Sequence, residues 1–233
     1  MKLINFHFKY LFSKYNFICI LIMIVILIIC YSFCIYDLNE SLSYEEVISY
    51  YYENAIYYNK IILIIISIFL FSRLCSIKYE YIVNIVCSAG YSKKENFNSM
   101  IICNMTLLLL MTFVSLILFI GIGRMFKDFI HLNIMVLNLF VNLVILSSYY
   151  GMLTYTIMKL FNNFLIVIIM FLFYIMSDLF INVEEIKYLY LYIFPNIKIK
   201  NGDFYISYIY SLFLLVVLYF TNRYLYIKKD INN

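Results

Sequence analysis

Tryptophan is absent from the 233 residues, proline occurs only at Pro195, histidine only at His7 and His131, and charged side chains make up 13% of the chain. So little charge, set against 66% hydrophobic residues and a mean hydropathy of +0.93, excludes a soluble domain of this length. With two histidines that fall on opposite sides of the layout derived below, no HExxH pair and no glycine-flanked serine facing a histidine, no catalytic set forms. A GxxxxGK[ST] phosphate loop is also missing, so any ATP hydrolysis belongs to another polypeptide. Cys19, Cys30, Cys34, Cys75, Cys87 and Cys103 form neither a CxxC pair nor a credible metal set, and read as reduced, apolar packing residues. No cofactor or metal is expected. The net charge of +4 is no nucleic-acid signal, because the basic residues segregate by side instead of clustering on one face.

What the chain has is apolar runs of bilayer length. They predict an all-α polytopic membrane protein, a single domain over 1–233, with six transmembrane helices near 17–36, 57–75, 100–122, 132–158, 164–182 and 205–226. Ahead of the first run, Lys2, Lys9 and Lys14 alternate with Leu3, Phe6, Phe8 and Leu11, which predicts an N-terminal interfacial helix. The first run lacks a small-residue cleavage site and is expected to be retained. Eleven of the 17 basic residues, against three of the 13 acidic ones, fall on the side that holds both termini. The positive-inside bias therefore puts both termini in the cytoplasm. Asp37, Glu40, Glu45, Glu46 and Glu53 mark the first external segment, where Ser43 and Glu46 suit a short capped helix. Tyr44, Tyr50, Tyr51, Tyr52, Tyr57 and Tyr58 suit an aromatic belt there, with Lys60 snorkelling outward. Gly121 and Gly123 are expected to break the third span before the next external loop.

Within the spans Asp178 is the costliest residue, at a depth similar to Asn138 and Asn142, which share a face at i and i+4. A hydrogen-bonded clamp and a substrate ligand are the two readings of this trio. The apolar segment from Val183 to Phe204 breaks at Pro195 and reads either as short broken external helices that help close a pathway or as an interfacial hairpin.

One stretch, Ile77 to Phe97, is neither a span nor a plain connector. Tyr81, Ile82, Ile85 and Val86 recur at helical spacing, a helix end is predicted at Ala89-Gly90, and Ser92 with Glu95 forms a capping box that starts a second helix. The early Glu80 and the late turn Gly90-Tyr91-Ser92-Lys93-Lys94, set in a six-span layout, resemble the permease subunits of type 2 ABC transporters, mostly exporters. That resemblance implies a cytoplasmic coupling helix opened by Glu80, between spans two and three, that docks a separate ABC ATPase subunit. It also implies a second permease copy or paralogue, a plasma-membrane location, and export of a peptide, toxin, drug or lipid-like substrate. An ordinary topology-fixing loop is the other reading of the stretch. A stand-alone accessory or immunity protein is the other reading of the chain. Abundant Ile, Asn, Lys and Tyr suggest an AT-rich, bacterial genome.

Overall fold

Long apolar runs without internal breakers fold as long helices, and the chain carries seven whose bounds are defined: α1 Lys2–Leu11, α2 Lys14–Tyr36, α3 Tyr44–Arg73, α4 Ile77–Ser88, α5 Lys93–Phe126, α6 Ile134–Phe161 and α7 Phe204–Lys228. The computed structural model describes residues 2–11, 14–36, 44–126, 134–169, 171–172 and 204–228. No strand occurs among them. Stretches of α3 (Tyr50–Arg73), α5 (Lys93–Met125), α6 (Phe140–Phe161) and α7 (Tyr210–Lys228) are long and apolar enough to cross a membrane, and α2 holds a shorter apolar stretch, Ile20–Ile35. The expected fifth span is helical at 164–169 and 171–172, and the rest of it lies outside the described residues.

Two expectations are corrected. The short external helix and the second span are one 30-residue helix, α3, because Tyr44 to Arg73 contains no glycine or proline to interrupt it. Gly121 and Gly123 do not end the third span, which runs on to Phe126. A lone glycine costs a helix only about 1 kcal/mol, less than the packing around buried Ile122 and Gly123 recovers.

The bundle centres on α3 and α6, the most extensively packed pair, with α7 against α6, α2 against α3 and α5, and α1 against α5. The α3–α6 approach depends on small residues. The Ser67 hydroxyl donates to the Ser147 carbonyl, and a Cβ added at Gly151 would fall within 3.0 Å of Ser67 Oγ and of two Phe71 ring carbons. Ser147 and Gly151 thus form the small-xxx-small seam that lets membrane helices approach closely. Between α6 and α7 the Thr156 hydroxyl donates to Asn222 Oδ1 (2.7 Å), and Asn222 Nδ2 donates to the Met152 carbonyl (2.9 Å). The exterior is apolar, with Leu109, Phe113 and Ile117 on α5 and Phe213, Val217 and Phe220 on α7 exposed, while Asn59, Ser67, Asn104, Ser115 and Ser148 are buried. That distribution is compatible with lipid around the helices.

At the end of the bundle remote from α4, the tyrosines divide. Tyr50 and Tyr57 are exposed as a belt requires, but Tyr51 is buried, donates to the Phe119 carbonyl at 2.8 Å and stacks on the Phe119 ring. Lys60 does not snorkel. It is 5% exposed, with its Nζ 5.5 Å from the centre of the Tyr57 ring.

Candidate functional site

The site is built on α4, a helix made by its ends. Ser76 stands in extended conformation at the N-cap and accepts from the Tyr79 amide (3.3 Å), which satisfies one of the unpaired donors of the first turn. Glu80 lies in that turn, where a carboxylate complements the positive end of the helix. At the other end the Gly90 amide bonds to the Cys87 carbonyl (3.1 Å) and the Tyr91 amide to the Val86 carbonyl (3.4 Å). This closure requires a left-handed residue, and Gly90, at φ +92°, supplies it. Two residues on, Ser92 and Glu95 form the reciprocal box: the Ser92 amide donates to Glu95 Oε2 (2.9 Å) and the Glu95 amide to Ser92 Oγ (3.2 Å). The second helix this box opens is α5 itself, continuous from Lys93 into the membrane-length segment.

α4 lies on the bundle through Tyr79, Val83 and Val86, at i, i+4 and i+7. Val86 alone of the four apolar residues read from spacing belongs to that stripe. Tyr81 and Ile85 face outward, 69% and 49% exposed, because burial of Tyr79 turns the stripe by a fraction of a turn. Glu80 and the turn Gly90 to Lys94 occupy opposite ends of α4, about 15 Å apart along its axis. The structure therefore does not gather them into one patch. Instead Glu80 accepts a charged hydrogen bond from Lys159 Nζ (3.0 Å) in the last turn of α6. Gly90, Ser92 and Lys94 are exposed, with Tyr91 and Lys93 half-buried beside them.

Behind α4 four helices meet in a buried polar chain that sequence reading missed. His7 of α1, 2% exposed, lies between Asn96 of α5 and Tyr79 of α4, with Nε2 2.8 Å from Asn96 Oδ1 and Nδ1 3.3 Å from the Tyr79 hydroxyl. Asn96 Nδ2 donates in turn to the Tyr226 hydroxyl of α7. One proton assignment pairs every atom. The Tyr79 O–H donates to Nδ1, Nε2–H donates to Asn96 Oδ1, and the imidazole is neutral. Burial favours that neutral form and holds the His7 pKa below its ordinary value of 6.5, against a smaller opposing effect of the Asn96 hydrogen bond. Burial likewise pushes the Tyr79 hydroxyl well above its ordinary range. Beside the chain the Arg73 guanidinium stacks 5.3 Å over the Tyr10 ring, and Tyr10 in turn lies 5.5 Å from the Tyr79 ring. The signal that could have found His7 is the spacing Leu3, His7, Leu11, which puts a histidine in the middle of α1's buried stripe.

The intramembrane trio is only partly described. Asn142 is buried, the side chain of Asn138 is not described, and Asp178 and Pro195 lie outside the described residues. A different polar set comes forward, also missed from sequence. Asn59 and Asn104, each 0% exposed, have no well-formed hydrogen bond at either amide atom among the described residues, and neither have the buried hydroxyls of Tyr31, which lies against Asn59, and of Tyr155. Among the described residues no three His, Cys, Asp or Glu side chains converge to hold a metal. No family model matches the chain, and no curated protein or solved structure matches it either.

Proposed function

We propose that the chain is the membrane-spanning permease subunit of an ATP-driven ABC-type exporter, with α4 as its cytoplasmic coupling helix and both termini on the same side of the plasma membrane. The observation that carries this reading is the form of α4: a short helix capped at both ends, lying on the bundle, with Tyr81, Ile85 and the Gly90 to Lys94 turn directed outward. A subunit without a nucleotide site responds to ATP only through contacts that differ between its partner's states. A rigid surface helix joined directly to α5 and salt-bridged to α6 passes such a difference into two membrane-length helices at once. In this reading Glu80 holds α4 to α6 through Lys159, and the ATPase-facing groups are Tyr81, Ile85 and the turn.

The partners are a separate ABC ATPase, a second copy or paralogue of the permease, and the lipid around them. The cargo is a peptide, toxin, drug or lipid-like molecule. Gly90→Val, which forces a β-branched residue into left-handed backbone, is expected to uncouple hydrolysis from transport without altering membrane insertion. Cysteines placed at Tyr81, Ile85 and Lys94, in a background cleared of the native ones, test the contact. Cross-linking to an ATPase in the source membranes supports the reading. Failure to capture one, with full activity retained in Gly90→Val, replaces it with the stand-alone accessory or immunity protein.

A further inference from the structure

The hydrogen-bonded chain through His7 has a property that the coupling role does not use. His7 is the only one of its four members that gains a charge between neutral and mildly acid pH. The order of donors is single-valued while the imidazole is neutral. A proton arriving on Nδ1 turns that atom into a donor facing the Tyr79 O–H, and the Tyr79 hydrogen loses its acceptor. The charge finds only the Asn96 Oδ1 hydrogen bond, whose effect burial outweighs. Among the described residues His7 hydrogen-bonds only to Asn96 and Tyr79. Around the site stand the phenols Tyr10, Tyr79, Tyr226 and Tyr155 and the Cys103 thiol, with the Arg73 cation stacked on Tyr10. Of the described carboxylates on the packed helices, Glu80 is tied to Lys159 and Glu95, next to Asn96, is tied to Ser92. An imidazolium there is desolvated and unpaired, whereas on an undocked α1 it is hydrated.

We propose that α1 is a proton-sensitive latch: with His7 neutral it is docked across α4 and α5, and protonation of His7 releases it toward the membrane surface. α1 carries what the released form needs, since Lys2, Phe6 and Lys9 already face outward and the helix is amphipathic. Release removes the His7 contact from Tyr79, the most deeply buried side chain of α4. Resting on the reading of α4 as the coupling helix, acidification of the compartment facing α4 therefore loosens the coupling element. The sign follows from linkage. The docked pKa is depressed, so docking is at full strength above the ordinary imidazole value of 6.5. It weakens about tenfold for each pH unit below that value, until the docked imidazole also takes up a proton.

Cys103 supplies the readout, because its thiol is fully buried beneath α1 and lies 3.5 Å from the Ile4 carbonyl. The full chain with Cys103 as its sole cysteine is placed in lipid nanodiscs and labelled with 4,4′-dithiodipyridine, which reacts at acid pH as well as neutral. The labelling rate is divided, at each pH, by that of the same chain carrying His7→Gln, which keeps a donor toward Asn96 and takes up no proton. The ratio is expected to hold steady above pH 6.5 and to rise below it, by at most about tenfold at pH 5.5. A flat ratio from pH 8 to pH 4.5 overturns the latch, since a purely structural His7 shifts labelling equally at every pH. Should His7→Gln fail to fold, the chain whose sole cysteine is Cys34, buried near Tyr51 at the opposite end of the bundle, becomes the reference, and equal acid acceleration of the two thiols overturns the proposal. No ATPase takes part in this measurement, so its failure leaves the permease reading standing, and failure of ATPase capture leaves the latch standing.

Discussion

Two buried polar clusters in the bundle are satisfied to different degrees. Around α4, His7, Tyr79, Asn96 and Tyr226 are buried and joined in one chain of hydrogen bonds across four helices. Toward the Phe119 end, Tyr31 on α2 and Asn59 on α3 are buried just as deeply and lie against one another, yet among the described residues no well-formed hydrogen bond reaches the Tyr31 hydroxyl or either Asn59 amide atom. Moving α1 or α4 therefore breaks hydrogen bonds. Sliding α2 against α3 near Tyr31 and Asn59 separates two polar groups that this arrangement leaves without a well-formed hydrogen bond. The first cluster is therefore the harder of the two to rearrange.

Asn96→Leu is the most direct way to break the contrast. It strips the acceptor from His7 and the donor from Tyr226 in a buried site, and is expected to cost about 2–5 kcal/mol, read as the midpoint of an SDS titration in mixed micelles. Gly151→Ala comes next, at about 1–3 kcal/mol, because its methyl group meets Ser67 and the Phe71 ring where α3 and α6 touch. Full stability in Gly151→Ala would mean that this seam opens readily. Asn59→Leu carries the opposite sign. Removing an unpaired amide of similar shape should leave the described state unchanged or stabilise it by up to about 3 kcal/mol, while slowing any transport that needs the rearranged state. A loss as large as that of Asn96→Leu would show that Asn59 is satisfied in the membrane, and the contrast would disappear. The smallest effect belongs to Glu80→Gln: its half-exposed pair with Lys159 is worth about 0–1 kcal/mol, so the unfolding midpoint is expected to stay nearly unmoved, and under the permease proposal the signature is a change in ATPase coupling.

How much was legible from the sequence follows the range of each interaction. The close of α4 at Gly90 and the Ser92–Glu95 box could be read because each is decided within a few residues. α1 was legible from its amphipathic mixture, and four of the expected spans coincide with helices of membrane length, because burial in lipid selects on composition alone. Charge counts placed the segment before Lys60 on one side of a membrane without revealing that it continues α3, since sidedness carries no information on helix continuity. Long-range pairings were illegible. His7 meets Asn96 across 89 residues and Glu80 meets Lys159 across 79, and nothing local to either residue names its partner. For Tyr51 the local context pointed the wrong way, because a run of tyrosines beside acidic residues describes an interface until Phe119, 68 positions later, takes one of them inside.

α5 is unbroken from Lys93 at the exposed turn to the aromatic group around Phe119, an axial span of about 39 Å. A helix resists compression along its axis through every hydrogen bond in its ladder. The α4–α5 turn and the ring on which Tyr51 and Tyr52 rest are therefore the two ends of one strut, and a thrust along its axis at Lys93 is carried toward those tyrosines.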